Sequence, residues 1–181
     1  APHGLLPAGL DALDVTRVEA GFLLGGVDYT SARKALIEGQ KSTPTEIGLG
    51  WCVDLERAPF LGQAALRREA AGGPRLAFAG LVLDWDDLHE LYDSFGLPPA
   101  LPAHAWRQSI PIYHGAIQAG YATSGAWSPT LKQKLALATL EQSYAKEGQA
   151  LDMEWTVEHK RLRVGATVVR RPFFDPARKK S

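Results

Sequence analysis

The spacing of hydrophobic residues changes character partway along the chain. Between residues 9 and 20, Leu10, Leu13, Val15 and Val18 recur near helical spacing with Asp14 and Arg17 as outward charges, which predicts a short amphipathic helix. Gly21, Gly25 and Gly26 then interrupt the pattern. Residues 31–40 read as a second short helix, with Ser31 as its cap, Gly39 near its end and Pro44 closing the segment. Residues 49–53 read as a strand. Residues 62–70 read as a better helix, stopped by Ala71-Gly72-Gly73-Pro74.

That break marks the predicted domain boundary, because short β runs follow it at 76–83, 110–113, 116–121, 135–140, 151–157 and 162–169. His114-Gly115 lies between two of them as a hairpin signal, and residues 158–161 read as another turn. Many short strands with Gly-rich turns predict a small antiparallel barrel or sandwich. The exception is an acidic helical stretch at 86–95, ended by Gly96 and Pro98-Pro99. Its bland reading is a solvated helix with Leu88, Leu91 and Tyr92 turned inward; the other is a rim element lining a substrate entrance.

Composition narrows the classes of function. At 181 residues and 45% hydrophobic, the chain can bury a real core. Twenty basic residues balance twenty acidic ones, so no global field favours nucleic acid or an anionic membrane. The longest nearly apolar run, 76–83, falls far short of the roughly 20 residues a membrane helix needs. The single Cys52 cannot form an internal disulfide, and Ala1-Pro2-His3-Gly4 lacks the order of a secretion signal. A cytoplasmic setting is expected. A start without Met points to processing or to excision from a longer chain.

Candidate chemistry is equally selective. His3, His89, His104, His114 and His159 lie far apart, so no metal site is expected. The loop Gly21-Phe22-Leu23-Leu24-Gly25-Gly26 lacks the Lys-Ser/Thr end of a phosphate loop. Thr123-Ser124-Gly125 and Ser128-Pro129 have no His or acid at triad spacing, and the family resemblance given below implies a structural turn whose hydroxyls bond local backbone. No catalytic residue is assigned within the chain.

Three segments together resemble one family, the glycine cleavage system T-proteins. Leu13-Asp14-Val15-Thr16-Arg17-Val18-Glu19-Ala20-Gly21 is similar to the family's Arg-Asp-x-x-Arg-Leu-Glu-Ala-Gly, with Leu13 replacing the first Arg. Thr43-Pro44-Thr45-Glu46-Ile47-Gly48-Leu49-Gly50-Trp51 resembles Thr-Pro-x-Glu-x-x-Leu-x-Trp. Gly120-Tyr121-Ala122-Thr123-Ser124-Gly125-Ala126-Trp127-Ser128-Pro129-Thr130-Leu131 resembles Gly-x-Val-Thr-Ser-Gly-x-x-Ser-Pro-x-Leu. In this order and at these intervals they cover almost the whole chain.

The resemblance implies an α+β chain: residues 1–73 as an incomplete, folate-binding α/β portion and residues 74–181 as the small antiparallel barrel of the aminomethyltransferases. It implies a tetrahydrofolate-dependent transferase of an aminomethyl or methyl group, taking a small amine or methylated donor, with a lipoyl carrier protein as a partner in glycine cleavage. The essential carboxylate of the family comes from an N-terminal portion of the same enzyme not matched by any segment here, so this chain alone is expected to be inactive. The stretch 84–107 is similar to the longer inserts of the folate-dependent demethylase branch. Non-enzymatic folate-binding factors that support iron–sulfur proteins share the fold, but Cys52 lacks their motif context.

The resemblance places Glu19 on the pterin. A carboxylate offers two acceptor oxygens to the adjacent amino and ring N–H donors of a pterin edge. The competing reading pairs Glu19 with Arg17 or has it cap a turn. Arg57 aligns with an arginine that meets the acidic tail of folate, and a guanidinium fork suits a carboxylate; its competing reading is a solvated loop charge beside Asp54 and Glu56. Trp51 reads as core packing. Pro172-Phe173-Phe174-Asp175-Pro176 resembles the family's closing segment, packing the barrel end, and Arg178, Lys179 and Lys180 read as a solvated end.

Overall fold

The computed structural model describes residues 3–176. Arg178, Lys179 and Lys180 lie outside the described residues. Six strands, β1 (Leu76–Leu83), β2 (Ile110–His114), β3 (Ile117–Ser128), β4 (Gln133–Glu141), β5 (Ala150–Val157) and β6 (Lys160–Val169), close into a barrel in the order β1-β4-β3-β2-β5-β6. Every pairing is antiparallel. With the helices α1 (Leu10–Glu19), α2 (Gln63–Gly72) and α3 (Trp85–Asp93), the chain is α+β as expected.

Alternation along the strands sorts side chains between the barrel interior and its outer wall. Leu81, Ile112, Ala136, Ala138, Leu140 and Met153 belong to the cluster that fills the interior. On the outer wall, Phe78 of β1 with Leu135 and Leu137 of β4 receives Val15 and Val18 of α1. Each such apolar side chain contributes about 1.5–3 kcal/mol when fully buried. Phe173 packs on this same outer wall, so the tail expected at the barrel end lies along its side.

The helix α3 packs over β5 and β6 by seating Leu88 and Tyr92 against Val157 and Val164. Its start is set by Asp84, whose carboxylate accepts from the backbone N–H groups of Asp86 and Asp87. The inward packing of Leu88 and Tyr92 matches the bland reading of this stretch. Among the described residues, no helix is long and apolar enough to cross a membrane.

Several expectations for the first 60 residues are overturned. Residues 31–40 do not form a helix; only Glu38–Gln40 makes a single 3₁₀ turn, and none of its residues is buried. A short helix without a buried face does not offset its nucleation cost. Residues 49–53 are not a strand but contain the 3₁₀ turn Gly50–Cys52, since no neighbouring strand offers a ladder there. Trp51, read as core, is 81% exposed. The polarity of α1 is also reversed in part: Leu10 and Leu13 face solvent, whereas Asp14 is buried and Arg17 is partly buried against the barrel.

Candidate functional site

The buried charges of α1 meet a specific feature of β3. Ala122 pairs with Ala138 and Ser124 with Leu137, so Thr123 is an extra residue, a β-bulge. The bulge re-aims consecutive side chains, and the hydroxyls of Thr123 and Ser124 both donate to Asp28 Oδ1, at 2.6 and 2.7 Å. The segment read as a turn bonding local backbone is therefore strand, and its hydroxyls reach a loop some 95 positions earlier. Asp28 Oδ2 accepts from the Leu24 N–H at 2.7 Å and from Arg17 Nη1 at 2.8 Å. Arg17 Nε in turn donates to Asp14 Oδ1 at 2.6 Å, and Arg107 Nε donates to Asp14 Oδ2 at 2.8 Å.

Two arginines and two aspartates thus form a neutral chain of ion pairs clamping α1 to β3. Burial acts to raise the pKa of Asp14, but the hydrogen bonds and charges of Arg17 and Arg107 hold it below its ordinary 3.8. A carboxylate with a depressed folded-state pKa adds stability that is complete above its unfolded value and is lost as pH falls through the folded one. The native protein should therefore lose stability relative to Asp14→Asn as the pH drops below 3.8. Thermal melts from about pH 6 down to about pH 2 measure this, and parallel curves for the two proteins over that range would exclude Asp14 as a source of acid sensitivity.

Glu19 ends α1 one turn beyond this clamp and is 5% exposed. Its Oε1 accepts from Ser128 Oγ at 2.5 Å, and that same Oγ accepts from the Leu131 N–H at 2.9 Å, so the turn after β3 orients the carboxylate. The Glu19 carbonyl accepts from the Phe174 N–H at 3.0 Å, which ties the helix end to the tail. Arg17 is committed to Asp14 and Asp28, which removes the reading in which it pairs with Glu19. Glu19 lines a cavity of about 510 Å³ whose walls include Val15, Leu101, Pro102, Trp127 and Thr130. One buried acid in a mostly apolar recess is an arrangement that selects a ligand with hydrogen-bond donors on a flat apolar body.

Arg57 lies elsewhere. It sits in the exposed loop before α2, where its carbonyl accepts from Gln63 Nε2 at 3.2 Å, and it is not part of the wall around Glu19. Asp28, Thr123, Ser124 and Arg107 are the residues that motif reading missed as a group. The Thr-Ser pair of the third segment carried the signal, but its partner in the Gly25-Gly26-Val27-Asp28 loop has no periodicity to reveal it.

Residues 95–175 match the family of the glycine cleavage T-protein C-terminal barrel domain. The chain is 38% identical over 172 residues to an aminomethyltransferase of Synechococcus sp. (strain WH7803), covering 94% of this chain and 38% of that protein. The chain belongs to the aminomethyltransferase C-terminal barrel family. A second member, the aminomethyltransferase of Bacillus pumilus (strain SAFR-032), is 33% identical over 98% of the chain and 41% of its own length. The crystal structure of the glycine cleavage system aminomethyltransferase T from Bartonella henselae shares the fold, with a TM-score of 0.67 at 23% identity over 90% of this chain and 38% of that one. The chain thus spans about two fifths of the length of the family members it matches.

Proposed function

We propose that the protein serves a tetrahydrofolate-dependent one-carbon transferase of the T-protein kind, and that Glu19 grips the pterin. The observation that carries this reading is the Glu19 carboxylate, buried yet opening on a cavity of about 510 Å³, with Ser128 holding one oxygen in place. The residues fit the group: the acid supplies acceptors for the pterin edge, and Trp127, Leu101 and Val15 supply flat apolar walls. Arg57 is assigned to the glutamyl end of the folate. Its exposed position suits a tail that runs out to solvent.

Tetrahydrofolate, when bound, supplies the nitrogen that exchanges the one-carbon unit with a small amine or methylated donor, carried by a lipoyl protein in the glycine cleavage case. The chain's own contribution is orientation and exclusion of water. The ion-pair clamp fixes the axis of α1 and hence the position of Glu19, and the tail holds the helix end. In this reading residues 1–73 are the last part of the folate-binding domain and residues 74–181 the barrel. The rest of the machinery, including the carboxylate that acts at the transferred carbon, belongs to the portion that longer family members have in addition. The large apolar side chains exposed before the barrel, Leu5, Leu6, Leu36, Ile37 and Leu61 among them, support further protein packing there.

Calorimetric titration of the full-length protein with tetrahydrofolate tests the assignment. Glu19→Ala removes a charged hydrogen-bond partner and should cost about 1.5–3 kcal/mol, roughly ten- to a hundredfold in affinity. Arg57→Gln should weaken binding of the glutamylated ligand and leave a pterin without its tail unaffected. Native affinity in the Glu19 variant would remove that residue from the site.

A further inference from the structure

A second cavity, of about 390 Å³, opens where β2 and β5 part. These strands pair at Ile112 with Met153 and at Tyr113 with Asp152. On the other side of Ile112, Pro111 has no N–H to offer across the gap. Ile110 and Pro111 face Glu154 and Trp155 as cavity walls instead.

Lys134 enters this cavity from β4. Alternation puts it on the face of Ala136 and Ala138, which fills the barrel, and it is 2% exposed. Among the described residues no carboxylate lies within 4.0 Å of Nζ and no acceptor takes its hydrogens; the Trp155 ring is 5.4 Å away. Trp106, on the same wall, is fixed by backbone hydrogen bonds to Gly125 in both directions, at 2.9 and 3.1 Å. Its Nε1 is buried and meets no partner either. An indole N–H left without an acceptor at a packed barrel end costs stability that an aliphatic residue there would not.

The two donors define their complement. A carboxylate brings one negative charge and two acceptor oxygens, whereas a phosphate dianion brings a second charge and more oxygens than these apolar walls can satisfy. The indoles of Trp106 and Trp155 with Ile110 and Pro102 suit a flat ring. We propose that this chamber, separate from the Glu19 cavity although Pro102 borders both, binds a small aromatic carboxylate whose charge meets Lys134 and Trp106.

Lys134 has its pKa lowered to about 8 by burial, and a bound anion raises it again. Glu154 and Arg161 also face the chamber, as a charged pair 3.8 Å apart at its rim. Calorimetric titration uses benzoate as the probe and benzamide as its uncharged counterpart. Benzoate should bind the native chain at least roughly tenfold more tightly than benzamide, and Lys134→Met should abolish that preference. Trp106→Phe should weaken benzoate severalfold. In the native chain, benzoate affinity should fall about tenfold per pH unit above pH 8, an arm that needs no variant. Equal binding of benzoate and benzamide, a flat pH profile, or unchanged benzoate affinity in a folded Lys134→Met protein overturns the proposal.

Discussion

Replacing Arg17 by methionine should destabilise the protein by about 3–5 kcal/mol, the range for breaking a buried ion pair from one side. Arg17 bridges Asp14 and Asp28, and its side chain is only 10% exposed, so water cannot take its place. Without it, Asp28 keeps the hydroxyls of Thr123 and Ser124 and the Leu24 N–H but loses its directly bonded counter-charge and retains only the more distant Arg171, while Asp14 retains Arg107 alone. Urea denaturation gives the loss directly. Adding Asp28→Asn should restore part of it, because the second change removes the stranded charge. A loss under about 1 kcal/mol would mean that the network behaves like a surface pair and does not clamp α1.

Gly120→Ala should have a comparable effect for a steric reason. Gly120 pairs with Ile112 on one side and Leu140 on the other, at φ +155°. A Cβ there would lie 2.2 Å from the Thr139 carbonyl oxygen and 2.8 Å from the Leu140 Cα. Both obstacles are backbone, so relief requires β3 and β4 to separate, and the expected cost is about 3 kcal/mol or more. The chain should melt well below the native protein, with circular dichroism reporting the barrel. A near-native melting temperature would show that the two strands tolerate a wider spacing than the structure has.

The barrel was legible because its strands are short, apolar and separated by turn residues. The span of β1 is read to the residue, and the ends of β2, β4, β5 and β6 fall within two residues of their sequence-derived limits. The main miss in this half is β3, which continues to Ser128 through a stretch rich in Ser, Thr and Gly. Such composition signals a turn locally, but the segment continues the ladder with β4 to Ser128, and its hydroxyls find partners on Asp28 and Glu19. The same long-range cause misled the reading of α1, where charges were turned outward although the barrel offers them partners. Residues 31–40 carried helix-forming residues without a surface to bury them against, so propensity failed for lack of tertiary support. Glu19 emerged from a motif, whereas Lys134 carried no motif and became visible only when strand alternation placed an ammonium group inside the barrel.

The brevity of the β2–β5 join has a mechanical consequence. Elastic compliance in a hydrogen-bonded ring concentrates at its least-bonded seam, and here that seam borders the Lys134 chamber, while β1, β4 and β3 are laced together along most of their length. The chamber can widen to admit a solute by spreading β2 from β5, while the stiff opposite wall keeps α1 and its terminal acid still.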